Sequence, residues 1–302
     1  MSDENVHVAM MNLLWPREGL HRQMFYDYWS GAHTQISSRL PGIHQYFQHH
    51  LDPEGGLTFP GAQELIRSSD KHPGFFGDAE ITFRTEGDLA AFAEALAPLM
   101  QDEQNVFQKT ISYQATGANV RTVQDRTDDD SPNGDLGRQE KYLLYLRRSV
   151  SEADFRRELE ALAEDLAGSR DVQRVRYRFV DLYDNDAVTL LAPNVSNFED
   201  EAQQVHGCLE IIFGDALARR RYGSSDYQQR STQTLRRISR DVFPTRALRT
   251  FTVYNHGRIT LAGLRTPQMA AQIAEIGAIN QTSPDVEALL LNAHTQASVA
   301  RT

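Results

Sequence analysis

The chain has 302 residues, 40% of them hydrophobic and 24% charged, with 31 Lys+Arg against 41 Asp+Glu for a formal charge of -10. That length suits two domains of ordinary size, and the acidic balance argues against nucleic acid as a partner, since phosphate binding wants a basic face. One cysteine, Cys208, excludes an internal disulfide and fits a reducing compartment. The polar start MSDENVHV lacks a charged-then-apolar signal, and no run approaches the roughly 20 apolar residues of a membrane span. The expectation is a cytoplasmic protein with no membrane partner.

Val6 to Leu14 is an apolar run closed by Trp15-Pro16, which predicts a buried strand. A polar stretch, Arg17 to Gln23, leads into a helix. On it Phe25, Trp29, His33 and Ile36 recur at intervals of four, four and three, so they share one face and carry His33 toward the core. Leu40-Pro41-Gly42 stops the helix, because proline has no N–H and glycine accepts unusual backbone angles. Ile43 to Leu51 then predicts a strand. Asp52 to Gly74, rich in Gly and Pro, reads as a long loop over the sheet edge.

Ala79 to Phe83 predicts a third strand, Asp88 to Met100 a second helix capped by Asp88, and Phe107 to Ala115 a fourth strand before Gly117. Strand, helix, strand, strand, helix, strand is the order of a ferredoxin-like unit. Residues 127–138 are acidic and carry Pro and Gly, a linker.

Beyond the linker the pattern repeats. Lys141 to Arg147 is a strand, and Ser151 caps a helix carrying Phe155, Leu159 and Ala163, each 130 residues after Phe25, Trp29 and His33. Val172 to Phe179 repeats the second strand. Glu210-Ile211-Ile212-Phe213 repeats Glu80-Ile81-Thr82-Phe83 at the same offset, and Ile111 and Gly117 match Phe251 and Gly257 at an offset of 140. A duplicated α+β unit follows, with units at 1–126 and 139–262 and a helical extension at 263–302. Glu80 and Glu210, kept in both halves, predict a structural pairing with arginine.

The opening unit resembles the EthD-type branch of the dimeric α/β-barrel proteins. Phe25, Tyr28, Trp29 and His33, then Leu40-Pro41-Gly42 and Tyr46, carry the resemblance, with Gly19-Leu20 at the helix entry and Ala79 to Phe83 as its third strand. The resemblance implies two ferredoxin-like βαββαβ sheets packed into a barrel, usually by homodimerisation. Here the two fused units predict that pairing within one chain, with a homodimer of whole chains left open. It also implies a ligand between helices and sheet of one unit. Relatives include cofactor-free cyclases, isomerases, dehydratase-like enzymes and small monooxygenases.

His33 on an apolar face is a candidate general acid or base, because histidine titrates near neutrality. A core histidine bonding a backbone carbonyl is the alternative, and Ala163 at the matching place shows that the fold does not demand an imidazole. Tyr46 and Tyr28 are candidates to orient a substrate oxygen, and Phe25, Trp29, His44 and Tyr113 to bind the substrate. His44, His49, His50 and His72 do not form a metal set: His44 and His50 would lie about 20 Å apart on a strand and His49 faces the other way. No metal and no cofactor are expected, since no phosphate-binding glycine loop is present. The leading expectation is a cofactor-free lyase, isomerase or cyclase acting on a small apolar or aromatic molecule. A non-catalytic binding protein and a cofactor-free monooxygenase are the alternatives.

Overall fold

The computed structural model describes residues 6–66, 72–127, 132–187 and 190–291. The first half runs β1 (Val8–Pro16), α1 (Arg22–Tyr28), a π-turn (Trp29–His33), α2 (Thr34–Ser37) and β2 (Gln45–Asp52). It continues with α3 (Ala62–Leu65), β3 (Gly77–Phe83), α4 (Glu86–Glu94), α5 (Ala97–Glu103), β4 (Phe107–Thr116) and β5 (Val120–Asp125). After β6 (Asn133–Asp135) the second half runs β7 (Glu140–Arg148), α6 (Glu152–Ala167), β8 (Val172–Phe179), β9 (Gly207–Phe213), α7 (Ala216–Tyr222), α8 (Asp226–Ile238) and β10 (Ser239–Asn255). β11 (Arg258–Ile259), α9 (Leu261–Arg265), α10 (Pro267–Glu275) and α11 (Pro284–Leu291) complete the described chain.

The strands form one sheet path, β4-β1-β3-β2-β10-β7-β9-β8-β5. Within it the first half is ordered fourth-first-third-second, and β10-β7-β9-β8 repeats that order. The halves are joined twice. β10 pairs with β7 through Thr245↔Leu143 and, further along, with β2 through Phe251↔Gln48. β4 pairs with β1, and its continuation β5 crosses to β8 through Val120↔Arg178. Each half thus lends the end of its last strand to the other, which closes the two sheets into a barrel with no open edge at either seam.

Alternation along the strands sorts side chains between barrel and helices. Met11, Leu13, Ile111, Tyr113, Leu143 and Tyr145 fill the barrel interior. Phe25, Trp29, Tyr46, Ile81 and Phe107 face the first helical layer. The interior also holds charge. Glu80 receives Arg176 at 2.8 Å and Arg178 at 3.2 Å, while Arg178 reaches Asp78 at 2.7 Å. Burial alone would raise the Glu80 carboxyl, but the two guanidiniums hold it well below the usual range. Glu210 pairs with Lys141 at 3.0 Å and Arg174 at 3.3 Å, so both repeated glutamates have the cationic partners their repetition suggested.

Several expectations change. The second helix is two helices, and its cap is Thr85, which accepts from the Asp88 N–H while Asp88 bonds back to the Thr85 N–H. The fourth-strand offset is not 140. Leu13 faces Ile111 and Leu143 faces Thr245, so the strand starts match at 245 − 111 = 134. Residues 52–74 do not skirt the sheet edge: their described part crosses to the other half, where Phe59, Ala62 and Leu65 join its core. In the predicted linker, residues 128–131 lie outside the described residues, and Asn133–Asp135 adds a short strand beside β10. The extension is helical as far as Leu291; residues 292–302 lie outside the described residues.

Candidate functional site

A cavity of about 410 Å³ lies between the first half's helices and its sheet. The Leu-Pro-Gly turn sets its helical wall: Gly42 adopts φ +82° and packs against the backbone of α4, where a Cβ would lie 2.3 Å from the Asp88 carbonyl oxygen. The wall includes a π-turn, a wider coil often found at functional positions, and Trp29 and His33 at its two ends both line the cavity. Met10, Asn12 and Leu14 enter from β1, Thr110, Ser112 and Gln114 from β4, and Phe92, Leu96 and Leu99 from the helices above.

The second half supplies the remaining side. Its connection from β8 to β9, residues 180–206, lays Ser196 beside β4, where the Thr110 N–H donates to the Ser196 carbonyl at 3.0 Å and the Ser196 N–H to the Gln108 carbonyl at 2.9 Å. Asn197 donates to the Thr110 hydroxyl at 2.8 Å. Asp181, Tyr183, Asp184 and Leu190 of this connection line the cavity.

His33 is 4% exposed, and its Nδ1 lies 2.9 Å from Asp102 Oδ2. The other Asp102 oxygen accepts from the Tyr28 hydroxyl at 2.7 Å and from Asn105 at 3.0 Å. Burial raises the Asp102 carboxyl, but the bonds from His33, Tyr28 and Asn105 outweigh it and lower the pKa. A carboxylate at Nδ1 holds the proton there and leaves Nε2 as the nitrogen presented to the cavity.

Tyr46 is held by a chain of donors. The Thr34 hydroxyl donates to the Trp29 carbonyl at 2.6 Å, so the Gln48 atom 2.8 Å from Thr34 Oγ1 must itself be a donor, the amide Nε2. The same Nε2 donates to the Tyr46 oxygen at 2.8 Å, and Ser37 donates at 3.5 Å. With its oxygen accepting from Gln48, the Tyr46 proton can turn to a ligand in the cavity or to the Ser37 oxygen, whose own proton also reaches the Thr34 carbonyl at 3.3 Å. Burial raises the phenol, only partly offset by these donors, so it remains a donor at neutral pH.

Glu103, which sequence reasoning missed, lines the same cavity. Thr110 donates to its Oε2 at 3.3 Å. Burial pushes its carboxyl up to about 7, the Thr110 bond lowers it, and the neighbouring Asp102 raises it.

Of the residues singled out from sequence, His33, Trp29 and Tyr46 meet in the cavity. Tyr28 stands outside it and acts on Asp102. Phe25 lies behind Trp29, ring centroids 5.8 Å apart, because α1 precedes the π-turn. His44 sits at the start of the strand beside His256. Tyr113 points the other way, into the barrel, where its hydroxyl accepts from the Val205 N–H at 3.1 Å. Its neighbours Ser112 and Gln114 face the cavity, as strand alternation requires.

The remaining histidines are dispersed. His50 is stacked against Tyr26 and Trp29, ring centroids 4.6 and 4.9 Å apart, and burial, Arg249 and His49 press its pKa down to about 3. His49 Nδ1 meets the Thr250 hydroxyl at 3.2 Å and His72 Nε2 that of Thr245 at 3.3 Å. Among the described residues no three His, Cys, Asp or Glu side chains are grouped to hold a metal ion. Among them, too, no helix is long and apolar enough to cross a membrane.

The architecture is that of two fused ferredoxin-like units forming an α/β barrel. Residues 17–110 match the family model described as the EthD domain. No curated protein matches the chain. Among solved structures, a proposed monooxygenase from Fusobacterium nucleatum subsp. nucleatum ATCC 25586 is 7% identical with a TM-score of 0.48, over 85% of this chain and 98% of that one. An anthrone oxidase-like protein is 12% identical with a TM-score of 0.48, over 83% and 95%. A chlorite dismutase from Candidatus Nitrospira defluvii is 9% identical with a TM-score of 0.39, over 81% and 92%.

Proposed function

We propose that the chain is a cofactor-free enzyme of the isomerase, lyase or cyclase kind, acting on a small, largely apolar carbonyl or phenol compound held in the N-terminal cavity. The observation that carries this reading is the pair formed by His33, backed by Asp102 at 2.9 Å, and the Tyr46 hydroxyl, which accepts from Gln48 at 2.8 Å and lines the same cavity. His33 Nε2 takes a proton from the carbon beside the carbonyl, or from a phenol. Tyr46 donates a hydrogen bond to the oxygen on which negative charge then grows. Returning the proton to another carbon of the same molecule completes an isomerisation; departure of a group from the neighbouring carbon completes an elimination. Neither route consumes a co-reactant. Trp29, Phe92 and Phe107 supply apolar walls.

Deuterium exchange tests this without knowledge of the natural substrate. With β-tetralone in D2O, the protein accelerates exchange at the acidic carbon. His33→Ala reduces the acceleration by about 100-fold or more while β-tetralone still binds within about threefold. Binding with no acceleration in the wild-type chain would make the cavity a binding site of an accessory protein instead.

A further inference from the structure

The charged groups around the cavity are of one sign. Glu103, Asp181 and Asp184 line it, and no lysine or arginine does among the described residues. Lys109, next to Thr110 on β4, is turned away: its Nζ lies over the Trp15 ring at 4.7 Å and pairs with Glu199 at 3.2 Å. His33 already has Asp102 as its partner. Among the described residues Glu103 has no ion-pair partner, and the hydrogen bond it receives comes from Thr110 through Oε2 at 3.3 Å. Thr110 is itself fixed by Asn197, so its hydroxyl proton is committed to that bond. Among the described residues no hydrogen bond reaches Oε1, while the side chain lines the hollow.

Resting on the reading of the cavity as the ligand site, we propose that Glu103 selects the charge of the ligand. It admits uncharged molecules bearing a hydroxyl or carbonyl and turns away carboxylates and phosphates. An anion entering the cavity would give up its water and meet no cation, and it would come close to a carboxyl group that has no countercharge of its own. An uncharged oxygen loses far less on leaving water. It finds the Tyr46 proton as a donor and Oε1 of Glu103 as a second polar contact. The filter acts where this carboxyl is ionised, above about pH 7; below that Glu103 holds a proton and donates it to a ligand oxygen. Asn12, also in the lining, spends one of its two amide protons on the Ala79 carbonyl at 2.7 Å and carries no charge. Glu103 is thus a specificity residue, separate from the proton transfer assigned to His33.

The test is calorimetric titration of the full chain at pH 8, where the Glu103 carboxyl is mostly ionised, with naphthylmethanol and naphthoate, which share a ring system and differ in charge. In the wild type the alcohol binds at least about tenfold more tightly than the carboxylate. Glu103→Gln, checked for folding by circular dichroism, raises naphthoate affinity about tenfold and leaves the alcohol within about threefold. If this variant does not fold, the wild-type ratio alone decides. Equal binding of both probes, or an unchanged ratio in the variant, would overturn the charge filter while leaving the His33 chemistry standing. Binding of neither probe would remove the cavity as a ligand site and the filter with it.

Discussion

The two halves share a strand order and differ in what occupies the space under their helices. Strand register pairs the positions. Asn12 corresponds to Tyr142 and His33 to Ala163, each 130 residues on, while Tyr46 and Val175 face Ile81 and Ile211 on the neighbouring strands. An amide, an imidazole and a phenol thus give way to a large ring and two apolar side chains. The connections between second and third strands cross in both directions, with different results. From the first half, Phe59 enters the second, 5.4 Å from the Tyr142 ring and 6.4 Å from Phe213, and Thr58 bonds the Tyr142 hydroxyl at 2.7 Å. From the second half, the described part of residues 180–206 lays Ser196 along β4 and walls a hollow there. One crossing plugs a cleft and the other walls one, so a single fold yields a packed core and a cavity from reciprocal exchanges.

Breaking the plug has the largest expected effect. Phe59→Ala removes a ring that is 3% exposed and opens a void in the second half, costing about 3–5 kcal/mol in urea or thermal unfolding. A loss under about 1 kcal/mol would mean that Phe59 is not packed there. Glu103 gives the next effect, and it belongs to the first half alone. Its folded pKa of about 7 exceeds the ordinary 4.5, so the native chain holds this proton more tightly than the unfolded one. The stability it contributes is fully present below about pH 4.5 and is lost as pH rises through about 7, a fall of about 3 kcal/mol from this group. Glu103→Gln flattens that slope in denaturation series between pH 4.5 and 8; an unchanged slope would deny the burial argument.

Ala163→His asks whether an imidazole alone makes the second half like the first. Ala163 is fully buried, so the larger ring overpacks the helix-sheet contact, lowering stability by about 1–3 kcal/mol, and β-tetralone exchange does not rise. The smallest effect is on the walling segment. Leu190 is 40% exposed, and Leu190→Ala changes stability by no more than about 0.5 kcal/mol, against the several expected at Phe59.

Much of this fold was legible in the chain. Periodicity placed β1 to β4, β7 and β8 within about two residues but gave no sign of β5 or β6, and the offset of 130 located the second half as far as β9. The 17-residue β10 defeated it, because one strand serves two partners and its length hides where the match begins. The Thr85–Asp88 capping box is readable in the chain, since both residues stand at the required spacing. What could not be read was non-local. His33 and Asp102 are 69 residues apart, and nothing in the helix pattern says which acid of the Gln101-Asp102-Glu103 run meets the imidazole and which the cavity. The crossing of Phe59 into the other half depends on sheet closure, which no local pattern carries. Tyr113 was misplaced because the parity of β4 relative to the cavity is set by its pairing with β1, where Asn12 faces Ser112.

An open cleft beside His33 and a filled one in the second half set the two halves apart. Titrating naphthylmethanol into the full chain while following the imidazole resonances tests this difference most directly. The expected result is that the His33 ring signals shift and reach a plateau at one equivalent of ligand per chain. Saturation at two equivalents, or binding that leaves the His33 signals unmoved, would contradict it.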